Sequence, residues 1–101
     1  MTLNVCVAGA TGWVGKPLCQ AVAAADDMQL VGAVARTHGG ARLGDVIGVP
    51  GLDVTISGSV EEALAAPTDV LVDYTAANVV KANVLAAIRA GVHVVVGSSG
   101  L

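Results

Sequence analysis

Seven residues near the start of the chain have the types and spacing to seat a phosphate group. Gly9-Ala10-Thr11-Gly12-Trp13-Val14-Gly15 forms a G-x-x-G-x-x-G run. The first glycine permits a tight turn out of a strand. The second has no Cβ, so an anion can come close to the main chain, and the third lets the next helix pack near the strand. Amides at the start of that helix can donate to phosphate oxygens, and the helix dipole adds to the attraction. The chemistry is dinucleotide binding; the competing reading is a plain tight turn in an α/β domain.

Three further groups stand where such a ligand would extend. About 20 residues past the glycines, an NAD site commonly carries an Asp or Glu for the ribose hydroxyls. This chain has Ala35-Arg36-Thr37-His38 there, with no carboxylate between Gln29 and Arg42. Arg36 suits a 2′-phosphate, with Thr37 or His38 assisting, so the bias is toward NADP, with NAD possible. The alternative is an ordinary solvated arginine. Asp73-Tyr74-Thr75 and Gly97-Ser98-Ser99-Gly100 each end an apolar run. Tyr74 can lie against a nicotinamide, and Gly97, Ser98 and Ser99 can bring backbone and hydroxyl groups to its ribose or amide. Asp73 and Thr75 either contact the ligand or cap a helix.

Other chemistries find no residues. Cys6 and Cys19 match no zinc spacing, and His38 and His93 lack ligand-like neighbours. The net charge is −3 with five Lys and Arg, and the only aromatics are Trp13 and Tyr74, so no nucleic-acid partner is expected. With 54% hydrophobic and 13% charged residues the chain is not of the disordered class. No run approaches the roughly 18 apolar residues of a membrane span. Met1-Thr2-Leu3-Asn4 lacks the positive charge of a signal peptide, and two thiols in apolar segments suit a reducing cytoplasm. The expected partner is a small-molecule nucleotide.

These groups need elements to hold them. Residues 3–8 are apolar almost throughout, as in a strand of a parallel sheet buried on both faces. Residues 13–25 turn helical, with Val14, Leu18 and Val22 as the apolar stripe and Pro17 near the start. Residues 29–35 form a second strand. Residues 36–53, rich in glycine, read as a long loop of the functional or mobile kind, with a short helical turn near Val46. A strand at 54–57 follows, then a small helix opened by a capping box, Ser59 with Glu62, and closed by Pro67. Residues 69–74 form a strand, 77–90 a helix with Val80, Val84 and Ile88 on one stripe and Gly91 as its stop, and 92–96 the last strand. This alternation predicts a single α/β domain over residues 1–101, a Rossmann-type doubly wound parallel sheet truncated after the fifth strand.

At this point the chain resembles the N-terminal, cofactor-binding part of the dihydrodipicolinate reductase family, the 4-hydroxy-tetrahydrodipicolinate reductases of lysine and diaminopimelate biosynthesis. The family opening V-x-G-A-x-G-x-M-G is seen as Val7 to Gly15, its D-[FY]-[ST] as Asp73-Tyr74-Thr75, and its V-x-G-T-T-G as Val95 to Gly100. The resemblance covers nearly the whole chain. It implies an oxidoreductase that transfers hydride from a nicotinamide to an unsaturated cyclic dicarboxylate, and a homo-oligomeric complete enzyme. Trp13-Val14 replaces the usual Arg-Met, and Arg36 replaces the acidic residue of members that use NADH readily. The family motif H-H-x-x-K-x-D-A-P-S-G-T, which supplies the general acid and grips the substrate, belongs to a second domain and does not occur here. No catalytic residue is therefore expected in this chain, which alone would be inactive.

Two other families share parts of the pattern. Extended short-chain dehydrogenases favour G-A-T-G-F-V-G but need Tyr-x-x-x-Lys, and four residues past Tyr74 stands Asn78. Glucose–fructose-type oxidoreductases share A-G-x-H-V, here Ala90 to Val94, but their E-K-P lysine is absent. A non-enzymatic nucleotide-sensing module is the remaining alternative.

Overall fold

Apolar runs without alternation become the central strands. The structure, a computed structural model, describes residues 2–97. Strand β1 (Leu3–Ala8) leads through α1 (Gly15–Ala24) to β2 (Met28–Val34), and then through α2 (Leu43–Ile47) to β3 (Ile56–Ser57). After α3 (Val60–Ala63) come β4 (Val70–Asp73), α4 (Ala77–Arg89) and β5 (His93–Val96). The five strands form one sheet in the order β3-β2-β1-β4-β5, and every neighbouring pair is parallel. From β1 the chain moves outward to β2 and β3, then returns to the other side for β4 and β5. The loops after β1 and β4 thus leave the sheet in opposite directions, and a crevice opens between them.

Register aligns the strand ends. Val34, Ala8, Asp73 and Val96 are paired in a row across four strands. The residues that follow them, Ala35, Gly9, Tyr74 and Gly97, therefore share the carboxyl edge of the sheet.

Both faces of the sheet are covered, as a doubly wound fold requires. Val5, Val7, Cys19, Val22, Leu43 and Ile47 belong to the core beneath α1 and α2, while Cys6, Ala8, Val60, Ala63, Leu71 and Ala87 belong to the core beneath α3 and α4. Two expected stripes hold in part, with Val22 and Val80 buried and Leu18 packed on the core. On α1 the buried residues are Gly15, Cys19 and Val22, and Val14 is exposed. On α4 the buried residues include Val80 and Ala87, and Ile88 is 62% exposed. In each case a small residue, Gly15 or Ala87, allows the closest approach to the sheet and turns that face inward.

The stretch 36–53 carries the short helical turn expected near Val46, as α2, and packs apolar side chains inward. Leu43, Ile47 and Leu52 are buried in the first core. Gly48, left-handed at φ +74, ends α2. The Ser59 hydroxyl accepts from the Glu62 N–H at 3.2 Å, as a capping box requires. Gly91 ends the α4 segment at φ +75. Among the described residues no helix is long and apolar enough to cross a membrane, and no cluster of metal-ligating side chains occurs.

Both thiols are free and buried, on opposite faces of the sheet. Burial, with the neighbouring Cys19 and Asp73 adding repulsion, pushes the Cys6 thiol from its ordinary 9.0 up to about 12. Burial alone pushes Cys19 from 9.0 up to about 11. The thiolate is the reactive form, so an Ellman reagent at pH 8 is expected to titrate neither thiol until denaturant is added. The sign of the pH effect follows. Below pH 9 both folded and unfolded chains keep these protons. Above it the unfolded chain loses them first, so stability falls as the pH climbs toward the folded values of about 11 and 12. Urea midpoints that rise between pH 9 and 10.5 would contradict this assignment.

Candidate functional site

The glycine loop sits at the crevice between β1 and β4. Gly9 leaves β1 in the left-handed region at φ +82 and donates to Val34 O at 2.8 Å. Ala10, buried, donates to the same carbonyl at 3.1 Å. Gly12 N–H closes the turn on Gly9 O at 3.1 Å, and Lys16 N–H reaches Gly12 O at 3.0 Å. Helix α1 then starts at Gly15, with Val14 as its N-cap and no side chain capping it. Pro17 falls in the first turn, where no amide donor is needed. Among the described residues the amides of Thr11, Trp13, Val14 and Gly15 have no carbonyl partner. They cluster around a helix start, so an anion there would meet several donors and the positive end of the dipole.

The three glycines answer to different constraints. A Cβ on Gly9 would lie 2.8 Å from Tyr74 O, and one on Gly15 only 1.8 Å from Gly9 O. Both positions are closed by backbone. A Cβ on Gly12 would meet only Gly9 O, at 3.4 Å, in ordinary contact, and Gly12 is exposed. The fold thus leaves space beside Gly12.

Arg36 and Thr37 are exposed on the loop that follows β2. Among the described residues Arg36 makes no ion pair. Arg42, by contrast, is held by Asp53 at 3.2 Å and by Asp45 at 3.6 Å. His38 adopts φ +66, unusual for a residue with a side chain, and its Nδ1 is 2.9 Å from the Thr37 hydroxyl. Tyr74 is half-buried. Its ring lies so close to Gly97 that a Cβ there would sit 2.1 Å from the tyrosine Cζ. The Gly97 N–H donates to Asp73 O at 2.9 Å. The ends of β4 and β5 are thereby locked together, with the ring lying against Gly97. Ser98 and Ser99 lie outside the described residues.

Asp73 does not cap α4, whose N-cap is Ala76 with no side-chain bond; its Oδ1 turns back to Thr75 instead. Asp73 is fully buried and turned into the protein, a role that its place at a strand end did not signal. A surface depression beside Met28–Val31 and Gly51–Val54 lies at the other end of β2, and Asp53 is its only ionisable lining residue. It has no part in this site.

A parallel sheet in this order, with a glycine loop at its reversal point and helices on both faces, is a Rossmann-type nucleotide-binding fold. The family model described as "Dihydrodipicolinate reductase, N-terminus" matches residues 3–101. A 4-hydroxy-tetrahydrodipicolinate reductase of Syntrophomonas wolfei subsp. wolfei is 38% identical over 99 residues, which are 97% of this chain and 37% of that protein. The solved structure of a dipicolinate-bound dihydrodipicolinate reductase from Paenisporosarcina sp. TG-14 superposes with a TM-score of 0.81 at 22% identity, covering 100% of this chain and 39% of that one. GenD2 from gentamicin A biosynthesis, solved in complex with NAD, superposes with a TM-score of 0.77 at 25% identity, covering 94% of this chain and 26% of that one. The chain belongs to the dihydrodipicolinate reductase N-terminal family. It spans about two fifths of the length of the curated relatives it matches.

Proposed function

We propose that this chain is the NADP(H)-binding domain of a dihydrodipicolinate reductase of lysine and diaminopimelate biosynthesis. The open space beside Gly12, next to amides at the start of α1 that have no carbonyl partner among the described residues, carries the reading. The amides of Thr11, Trp13, Val14 and Gly15 would hold the pyrophosphate. Arg36 and Thr37 would hold the adenosine ribose end, with Arg36 on the 2′-phosphate. Tyr74, Thr75 and Gly97 to Ser99 would border the nicotinamide. In the whole enzyme the bound cofactor supplies the hydride for an unsaturated cyclic dicarboxylate.

This chain's own residues bind and orient. The family motif that supplies the general acid and grips the substrate belongs to a second domain, and in the same reading the whole enzyme is a cytoplasmic homo-oligomer. The chain alone is therefore expected to give no turnover in a coupled reductase assay. Loss of one proton-transfer group commonly costs about 10² to 10⁴ in rate. Turnover within about tenfold of a full-length relative would refute this division of labour.

The lone tryptophan gives a direct binding test. Trp13 is 99% exposed, in the middle of the glycine loop. Titrating NADPH should quench its emission and show saturable heat in calorimetry. A chain that shows neither signal at millimolar NADPH would refute the cofactor assignment.

Arg36 is tested separately. Among the described residues its exposed guanidinium has no competing carboxylate, which leaves it able to hold a dianionic phosphate. A charge-assisted bond of about 1.5 to 3 kcal/mol corresponds to one to two decades in affinity, less at high salt. Adenosine 2′,5′-bisphosphate is expected to bind about ten- to a hundredfold tighter than AMP, which lacks only the 2′-phosphate, and Arg36→Ala to erase the difference. If the wild type binds both alike, or the variant keeps the preference, the NADP choice is withdrawn.

A further inference from the structure

Asp73 is the one fully buried charged residue among those described. Its Oδ1 accepts from the Thr75 N–H at 2.8 Å and from the Thr75 hydroxyl at 2.5 Å. Its Oδ2 is buried with no hydrogen-bond partner among the described residues. Asn83, on α4, extends the chain of contacts by donating to the Thr75 hydroxyl at 3.4 Å. A carboxylate in this position is costly, because burying a charge with one oxygen unpaired forfeits its hydration. The neighbouring core of Cys6, Ala8 and Leu71 would accept an apolar side chain more cheaply. Helix capping does not account for the acid, since Ala76 is the N-cap.

The geometry shows what the acid does hold. A trans peptide points its N–H and C=O in opposite directions. No peptide bond in the described chain is cis. Fixing the Thr75 N–H toward Asp73 therefore aims the Tyr74 carbonyl the other way. That carbonyl lies against Gly9, 2.8 Å from where a Cβ would stand. Gly9 in turn accepts from the Gly12 N–H, so the plane of the Tyr74–Thr75 peptide is the backstop of the glycine turn.

We propose that Asp73 is a positioning residue for the phosphate loop: by gripping Thr75 it orients the peptide on which the Gly9 turn rests, and so places the amides around Gly12. The proposal rests on the dinucleotide-binding reading. Asp73 touches no ligand and acts only through the Tyr74–Thr75 peptide. The bond requires an acceptor at Oδ1 and not a charge, because Oδ2 has no partner to lose.

The test uses the 101-residue chain, with NADPH as probe and calorimetry as readout, below the melting temperature of every variant. Asp73→Asn keeps an oxygen acceptor for the Thr75 N–H, and its affinity is expected to stay within threefold of wild type. Asp73→Ala removes the acceptor, and a loss of at least tenfold is expected in the folded variant. In ¹⁵N spectra the Thr75 amide should lose its downfield position in the alanine variant and keep it in the asparagine variant. Asp73→Val, apolar and suited to a strand, replaces the alanine variant should that one fail to fold. A folded Ala or Val variant that binds NADPH like wild type overturns the proposal. So does an asparagine variant that loses as much affinity as the alanine variant, because charge would then be the requirement. Failure of both Ala and Val variants to fold also overturns it, by making Asp73 a folding residue. A wild-type chain that does not bind NADPH fails differently: it removes the cofactor reading itself, and this proposal with it.

Discussion

Gly12→Val is expected to lower NADPH affinity by two to four decades while leaving the melting temperature nearly unchanged. The two halves of that result have separate causes. Gly12 is exposed, is not held in the left-handed region, and would place a Cβ no nearer than 3.4 Å to any other group. The fold therefore accepts a side chain here. A phosphate does not, because the valine methyls would occupy the space it must enter to reach amides at about 2.9 Å. Forfeiting two charge-assisted bonds costs about 3 to 6 kcal/mol, which is the two to four decades. Calorimetry on variant and wild type, each checked by thermal melting, measures both halves. Equal NADPH affinity in the two proteins would end the assignment of the glycine loop to the pyrophosphate.

Gly15→Ala is expected to behave in the opposite way, as a fold mutation. A Cβ there would stand 1.8 Å from Gly9 O, 2.7 Å from Gly9 C and 3.0 Å from Ala10 Cα. All three are backbone atoms, so no side chain can swing aside. Either α1 lifts from β1 or the Gly9 turn opens. Alanine does bring better helix propensity, about 1 kcal/mol at most. Overpacking of this kind typically costs about 1 to 3 kcal/mol and occasionally more, and a backbone clash this deep belongs at the upper end. For a domain of this size each kcal/mol is about 4 to 8 °C, so a fall of about 10 °C or more in the melting point is expected. A melting point within about 2 °C of wild type would show that α1 is not seated on the Gly9 turn. The pair Gly12 and Gly15 thus separates ligand space from packing space within one motif.

The element order was legible because each strand is a dense apolar run and each boundary carries a breaker. Gly9 stops β1, Gly91 ends the α4 segment, and Ser59 opens α3. Periodicity placed Val22 and Val80 on the buried faces of α1 and α4 and Leu18 against the core, but it misread the stripe ends Val14 and Ile88, because it weighs large side chains. The small residues Gly15 and Ala87 are buried beside Cys19 and Val80, while Val14 and Ile88 face outward. Composition read residues 36–53 as mostly loop with a helical turn near Val46, which α2 matches, but it did not signal how tightly the segment packs. Glycines there serve a tightly wound turn: a Cβ on Gly44 would lie 2.5 Å from Val49 O. At the site, the glycine spacing located the loop, and the strand ends located Tyr74 and Gly97. What the spacing of residues did not carry was direction. That Asp73 turns inward to hold its own loop, and that the Tyr74 ring lies on Gly97, depends on the register that puts Asp73 beside Ala8 and Val96.

The two sheltered thiols have a use in experiments on this chain. Most site-specific labelling begins by deleting native cysteines, and deleting Cys6 would open a cavity beneath Gly32, whose Cβ position is 2.9 Å from the Cys6 sulfur. Here the deletion is unnecessary. With both sulfurs buried and held protonated at neutral pH, a single thiol introduced at an exposed site, Gln20→Cys on the outer face of α1 for example, would be the only one a maleimide reaches. A dye placed there, with Trp13 at the head of the same helix, gives a short ruler across the glycine loop without disturbing the core.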